Sequence, residues 1–312
     1  MSFIDCFENN RFILMEGALG ERLKREFCVA FDEDVAMAGL VYRQRSRSAL
    51  KKLWNGYLDI AKESGLPFIA TTTTRRANKE RIERSGFTER IIKDNVSFLK
   101  SVLAAKGIES YAGGLMGCRG DAYTGEGCLG ESDAHEFHSY AAELFKDAGA
   151  DFIFAGIMPT LPEAKGLARA AGDTGLPYII SFTVKRDGRL IDGTAVSEAI
   201  DAIDGCVKNK PVCYMANCVH PEVLYEALSQ PFNRNETVKR RFLGIQANTS
   251  PLPYKELDNA PDLKCSEPES FGEETVKLLD IADFKIFGGC CGTDDCHMRS
   301  IARNLEVLKQ NT

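Results

Sequence analysis

Cys290 and Cys291 are adjacent in the segment Phe287-Gly-Gly-Cys-Cys-Gly-Thr293. A disulfide between them is disfavoured, because consecutive Cα atoms lie about 3.8 Å apart, below the usual disulfide range. The pair is better suited to holding a metal. Strand alternation would send neighbouring side chains to opposite faces, so both reach one ion only where a strand has ended. Gly288, Gly289 and Gly292 supply the backbone freedom for that bend. Cys218, in Met215-Ala-Asn-Cys-Val-His-Pro221, is the third candidate ligand. Three thiolates at about 2.3 Å leave one corner of a zinc tetrahedron open, the arrangement of a catalytic site. Three thiolate charges against two on zinc leave one net negative charge, so the ion is a weak activator of water. It is better suited to holding an incoming thiol as a thiolate whose sulfur stays nucleophilic. The chemistry predicted is methylation of sulfur by a donor carrying a cationic sulfur or nitrogen, since that displacement removes two opposite charges, which a low-dielectric cavity favours. The competing arrangement is a closed structural zinc, with Cys213, Cys296, His220 or His297 as fourth ligand. His135 and His138, three apart on an expected helix, read as a surface or packed pair.

These cysteines need a frame that brings distant strand ends together. Eight short runs rich in β-branched and aromatic residues recur: 12–18, 67–73, 109–117, 151–158, 177–184, 212–218, 242–249 and 284–291. Segments with helical spacing separate them, among them 48–64, 78–105, 133–148, 161–174 and 221–228. Several such segments end in Gly before the next strand, at Gly65, Gly107, Gly149 and Gly175, which is a helix C-cap pattern. Nearly continuous apolar strands such as Asp151-Phe-Ile-Phe-Ala155 suggest parallel strands buried on both faces. Eight βα units in 312 residues predict a single (β/α)8 barrel domain over 1–312, with a doubly wound sheet as the alternative. The sixth and eighth strands of a barrel feed one layer, so Cys218 can meet Cys290 and Cys291. Two long loops, 113–130 and 250–270, are expected beside the strand C-termini, the second as a lid or binding loop.

With 44% hydrophobic and 27% charged residues the chain has ordinary globular composition. A net charge of −6 with dispersed Lys and Arg makes nucleic acid an unexpected partner. No apolar run reaches membrane-spanning length and residues 1–10 do not resemble a signal peptide, so a cytoplasmic protein with reduced thiols is expected. In that compartment Cys6, Cys28, Cys206 and Cys213 read as small buried hydrophobes. The partners expected are a small-molecule thiol acceptor and a methyl donor, with a homo-oligomer possible.

Gly288-Gly-Cys-Cys-Gly-Thr293 followed by His297, Asn217-Cys218-x-His-Pro221 and Met15-Glu-Gly-Ala-Leu-Gly20 together resemble the homocysteine S-methyltransferase family. Ala112 to Gly117, Ile179 to Val184 with Asp192-Gly193, and Ala247-Asn-Thr249 extend the likeness over nearly the whole chain. The resemblance implies a (β/α)8 barrel, zinc on Cys218, Cys290 and Cys291, and methyl transfer to a thiol from a sulfonium, betaine or methylfolate-type donor. It implies a place in methionine biosynthesis, and puts Glu16, Gly17, Asn217, Gly156 and Asn248 at acceptor-binding positions. The alternative roles are a methyltransferase subunit of a corrinoid system and a non-catalytic barrel with structural zinc.

The departures from the family concern the acceptor. Gly156 stands where the family usually has a Glu that helps hold the amino group of homocysteine, and Glu16 stands where Asp is usual. Thr72-Thr-Thr-Arg-Arg76 replaces a polar and aromatic run, and Arg75 or Arg76 is a candidate carboxylate ligand. Trp54, Tyr42 and Tyr57 are candidates for a cage around a cationic methyl donor, although Trp54 and Tyr57 share the spacing of ordinary helix packing.

Overall fold

A computed structural model describes residues 1–252 and 265–310. Eight strands run in sequence order: β1 (Ile13–Met15), β2 (Phe68–Thr71), β3 (Ser110–Gly117), β4 (Phe152–Met158), β5 (Tyr178–Phe182), β6 (Cys213–Val219), β7 (Phe242–Ala247) and β8 (Ile286–Gly289). All pairings are parallel and β1 also pairs with β8, so the sheet closes into the expected barrel. Each predicted strand contains one observed strand or overlaps it to within a residue.

Alternation divides the strand side chains between two layers. Ile13, Met15, Ile69, Tyr111, Phe152, Phe154, Ile179, Cys213, Met215 and Ile286 fill the barrel interior. Residues of opposite parity, such as Leu14, Phe68, Ile153, Ile180, Tyr214 and Phe287, pack outward against the helices. Burial on both faces is why the strands read as apolar runs.

The helices that separate the strands include α1 (Phe3–Asn9), α2 (Gly20–Phe27), α3 (Gln44–Glu63), α4 (Lys79–Ser85), α5 (Arg90–Ala104), α6 (Glu131–Asp147), α7 (Leu161–Thr174), α8 (Val196–Cys206), α9 (Pro221–Leu228) and α10 (Glu236–Arg241), with helices Pro268–Val276 and Asp295–Gln310 beyond them. The single helix expected over 78–105 is two, because Gly86 at φ 76 ends α4 in the left-handed region. Helix α1 was not anticipated. Ser2 and Asp5 form a reciprocal cap at its start, and Phe3 stacks on Phe152 with centroids 4.3 Å apart, stopping the N-terminal end of the barrel.

Cys6 and Cys213 are buried as expected, but Cys28 is exposed at the left-handed end of α2 and Cys206 is half-buried. Among the described residues no helix is long and apolar enough to cross a membrane. The 250–270 loop falls partly outside the described residues; its returning end is tied back where Ser266 N–H donates to Thr249 O at 2.8 Å.

Candidate metal centre

Cys218, Cys290 and Cys291 converge at the C-terminal mouth of the barrel. Cys218 belongs to β6, where alternation would turn it away from the lumen; the interior-facing neighbours are Met215 and Asn217. A register shift against β7, between Asn217 and Val219, leaves Cys218 as the extra residue of a bulge, with φ 51. A bulge with a left-handed residue re-aims a side chain, and here it turns the thiol toward the mouth. Cys290 and Cys291 follow directly on β8, so the strand ends where the sequence required.

Cys218 and Cys290 sulfurs are in disulfide contact, with Cα atoms 5.5 Å apart. Cys291 Sγ lies 4.0 Å from Cys218 Sγ, and all three sulfurs fall within 4.8 Å of one another. Thiolates sharing a tetrahedral zinc at about 2.3 Å sit roughly 3.8 Å apart. The Cys218–Cys291 separation already fits, and opening the Cys218–Cys290 contact completes the set. Among the described residues these are the three potential ligands that come together in this way.

The ligand-bearing turn is fixed by backbone contacts. Cys290 N–H donates to Ala247 O at 2.7 Å, Thr249 N–H to Cys291 O at 3.2 Å, and Gly292 N–H to Glu21 Oε2 at 2.7 Å. Thr293 Oγ1 donates to Cys290 O at 2.8 Å and accepts from Ala18 N–H at 3.0 Å, which links the turn to the end of β1. Gly292 has φ 84, and a Cβ there would collide with Thr249 Oγ1. Desolvation by the surrounding protein and the nearby Glu21 carboxylate push the Cys291 thiol above its ordinary value, and Arg75 pulls it down.

The alternative fourth ligands are engaged elsewhere. His220 Nε2 meets Ser266 Oγ at 3.1 Å while its Nδ1 accepts from Glu222 N–H. His297 Nε2 meets Ser266 O at 3.0 Å and Nδ1 meets Asp294. Both histidines therefore anchor the returning end of the 250–270 loop. Cys213 is sealed in the barrel interior and Cys296 is exposed on the last helix. His135 pairs with Asp173 at the surface and His138 with buried Glu163, so neither forms a metal pair.

Asn217 is buried beside Cys218; its Oδ1 accepts from Ile157 N–H at 3.3 Å and its Nδ2 donates to Gln246 Oε1. Asn248 Oδ1 accepts from Ser250 N–H at 2.9 Å and shapes the exit from β7. Glu16 is buried: Thr71 N–H and Oγ1 donate to its Oε1 at 2.8 and 2.6 Å, and Trp54 Nε1 to Oε2 at 2.5 Å. Burial outweighs these donors and raises Glu16 to about 7. Gly17 lets the Tyr57 ring approach, since a Cβ there would lie 2.7 Å from the ring. Gly156 pairs with Gly117 at the ends of β4 and β3, both on the interior-facing side.

The aromatic cage does not form. Trp54 and Tyr57 are buried in helix packing and Tyr42 stacks on Phe87 at 5.4 Å, away from the cysteines. Sequence reasoning missed Glu21 and Glu163. The first closes the helix-starting motif after Gly20; the second, fully buried, accepts from Arg119 and Leu129 N–H at 2.6 and 3.1 Å and pins loop 118–130 to α7. A carboxylate among apolar positions of α7 was the available signal for Glu163.

The family profile described as homocysteine S-methyltransferase matches residues 13–305. The chain belongs to the homocysteine S-methyltransferase family. Homocysteine S-methyltransferase YbgG of Bacillus subtilis is 24% identical over 192 residues, which are 61% of this chain and 58% of that protein. Homocysteine S-methyltransferase 3 of Arabidopsis thaliana is 26% identical over 212 residues, 66% of this chain and again 58% of the relative. The matched region thus spans under two thirds of either relative. The fold agrees with two crystal structures of the homocysteine methyltransferase MmuM from Escherichia coli, in oxidized and metallated forms. Each gives a TM-score of 0.74 at 18% identity; the oxidized form covers 97% of this chain and 98% of that one, the metallated form 96% and 98%.

Proposed function

We propose that this family member is a zinc-dependent S-methyltransferase, a single barrel domain over 1–312, which moves a methyl group from a sulfonium or betaine-type donor to homocysteine or a related thiol. The observation that carries this reading is the convergence of Cys218, Cys290 and Cys291 at the barrel mouth, with a third sulfur exposed to an incoming ligand. The three thiolates would hold zinc, which when bound supplies the charge that keeps an acceptor thiol deprotonated near neutral pH.

The remaining work falls to the chain itself. Glu21, Thr249 and Thr293 fix the turn that carries Cys290 and Cys291. Asn217 locks the bulge that aims Cys218 and crosses to β4 and β7. The apolar interior beneath, from Met15 to Met215, excludes water from below, so methyl donor and acceptor meet from the open side. Glu16 is fully engaged by Thr71 and Trp54 and supports the wall beside β1 and β2. Gly17 and Asn248 shape the same rim, and Gly156 leaves acceptor recognition without the family carboxylate.

The test is Cys290→Ala. Bound zinc should fall from one equivalent to a trace by elemental analysis, and methyl transfer should vanish with S-methylmethionine, S-adenosylmethionine, betaine and a methylated corrinoid as donors. A variant that is metal-free yet active overturns the reading.

A further inference from the structure

Residues 72–76 follow β2 and are stitched to β3. Leu115 N–H donates to Thr72 Oγ1 at 3.0 Å, Thr72 and Thr74 hydroxyls meet at 2.6 Å, and Thr74 Oγ1 donates to Leu115 O at 2.8 Å. This places the Arg75 stem across Gly117. A Cβ on Gly117 would lie 2.7 Å from Arg75 Cγ and 3.6 Å from Cδ, so the arginine can take this path only because Gly117 has no side chain. Gly117 is paired with Gly156, and both face the lumen above Leu115 and Phe154. Two neighbouring strands therefore carry no side chain of their own at the mouth, and the Arg75 stem lies over one of the two positions.

Arg75 is half-buried, and among the described residues no carboxylate lies within ion-pair distance of it. Arg76 differs, because the Asp121 carboxylate is close enough to respond to its charge. Glu21, the acid whose charge also reaches Cys291, is occupied by Gly292 N–H and by Arg25 at 3.2 Å. A fork of five donors, held by its stem and left without an acceptor, is matched to a planar oxyanion.

We propose that Arg75 is a specificity-determining residue that binds the carboxylate of the acceptor thiol at the barrel mouth, beside Gly117 and Gly156. This rests on the thiol methyltransferase reading above and narrows it to a class, short aliphatic thiols that carry a carboxylate, with the amino group left unread. Where Gly156 removes a side-chain anion that could hold an ammonium, Arg75 supplies a cation for the opposite end of the same molecule.

The experiment compares homocysteine with two truncated forms, mercaptobutyrate (no amino group) and aminopropanethiol (no carboxylate). Each is titrated calorimetrically into the zinc-loaded protein without donor and then assayed for transfer. In the native protein mercaptobutyrate should bind within a few-fold of homocysteine, and aminopropanethiol about 10- to 100-fold more weakly. Arg75→Met should erase that difference by weakening mercaptobutyrate and homocysteine but not aminopropanethiol, through KM rather than kcat, and Arg75→Lys should restore part of it. Zinc content should not change. If Arg75→Met retains the discrimination, or lowers zinc occupancy while all thiols weaken equally, the assignment fails and the transferase reading stands. If no thiol binds or accepts methyl in the zinc-loaded native protein, the transferase reading itself fails.

Discussion

Ile157 and Asn217 tie the ends of β4 and β6 together: the Ile157 N–H donates to Asn217 Oδ1 at 3.3 Å, one residue before the first cysteine of the site. Both Ile157 (φ 57) and Cys218 (φ 51) are left-handed, a region that disfavours side chains and above all β-branched ones. Such residues cost on the order of 1–3 kcal/mol each and persist where neighbours over-determine them. Asn217 is that neighbour for both. Asn217→Ala leaves the Ile157 N–H and Gln246 without their partner, so unfolding free energy in urea should drop by about 1–3 kcal/mol. Zinc dissociation, measured by competition with a chromophoric chelator, should rise about tenfold. Unchanged zinc affinity in a destabilised variant would confine Asn217 to a structural part.

Metal removal should expose a second consequence of the same geometry. The Cα atoms of Cys218 and Cys290 stand 5.5 Å apart, inside the range that a disulfide spans, whereas Cys291 follows in a turn held by Gly292 and Thr249. Protein stripped by chelator in air should lose two titratable thiols, and reductant followed by zinc should recover both thiols and transfer. Zinc-loaded protein should keep its full thiol count over the same interval. A stripped protein whose thiol count is stable in air would speak against the pairing.

Glu16 predicts a pH dependence of stability. Burial raises its carboxyl from 4.5 to about 7, so in the folded state it holds a proton that the unfolded chain has released. The folded state therefore binds more protons between those values, and stability falls as pH rises through that window, by on the order of 3 kcal/mol in all. Glu16→Gln has no charge to lose, so its melting temperature should fall less than that of the native protein from pH 5 to 8. Parallel melting profiles for the two proteins would remove Glu16 as the cause.

The barrel was legible because its strands are apolar on both faces and its helices are amphipathic, so the period of the pattern changes at each boundary. Gly65, Gly107, Gly149 and Gly175 all adopt positive φ at helix ends, as their position implied. The clustering of the cysteines was legible for a different reason: Cys290 and Cys291 make sense together only beyond a strand end. What the sequence hid are effects without a local pattern. The bulge at Cys218 depends on the register of β7, the plug formed by α1 on Phe152 across the barrel, and the burial of Glu16 on Trp54 and Thr71. His220 and His297, the alternative fourth ligands of a closed site, instead both reach Ser266.

The acceptor preference can be pushed from the neighbouring strand. A Cβ built on Gly156 would lie 2.9 Å from Leu115 Cδ1 and 3.3 Å from the Phe154 ring, so a longer side chain there displaces a flexible leucine tip and rises toward the mouth. Glu at this position stands on the strand next to Gly117, over which Arg75 passes. Gly156→Glu should pair with the free guanidinium and offer a carboxylate to an ammonium. Transfer to mercaptobutyrate should decline about tenfold or more, and aminopropanethiol should gain relative to it. Combining Gly156→Glu with Arg75→Met separates the two effects: the loss for mercaptobutyrate should not add, because either change alone removes the same contact. Fully additive losses would mean that the two positions act on the acceptor independently, and that the ends of β3 and β4 do not form a single subsite.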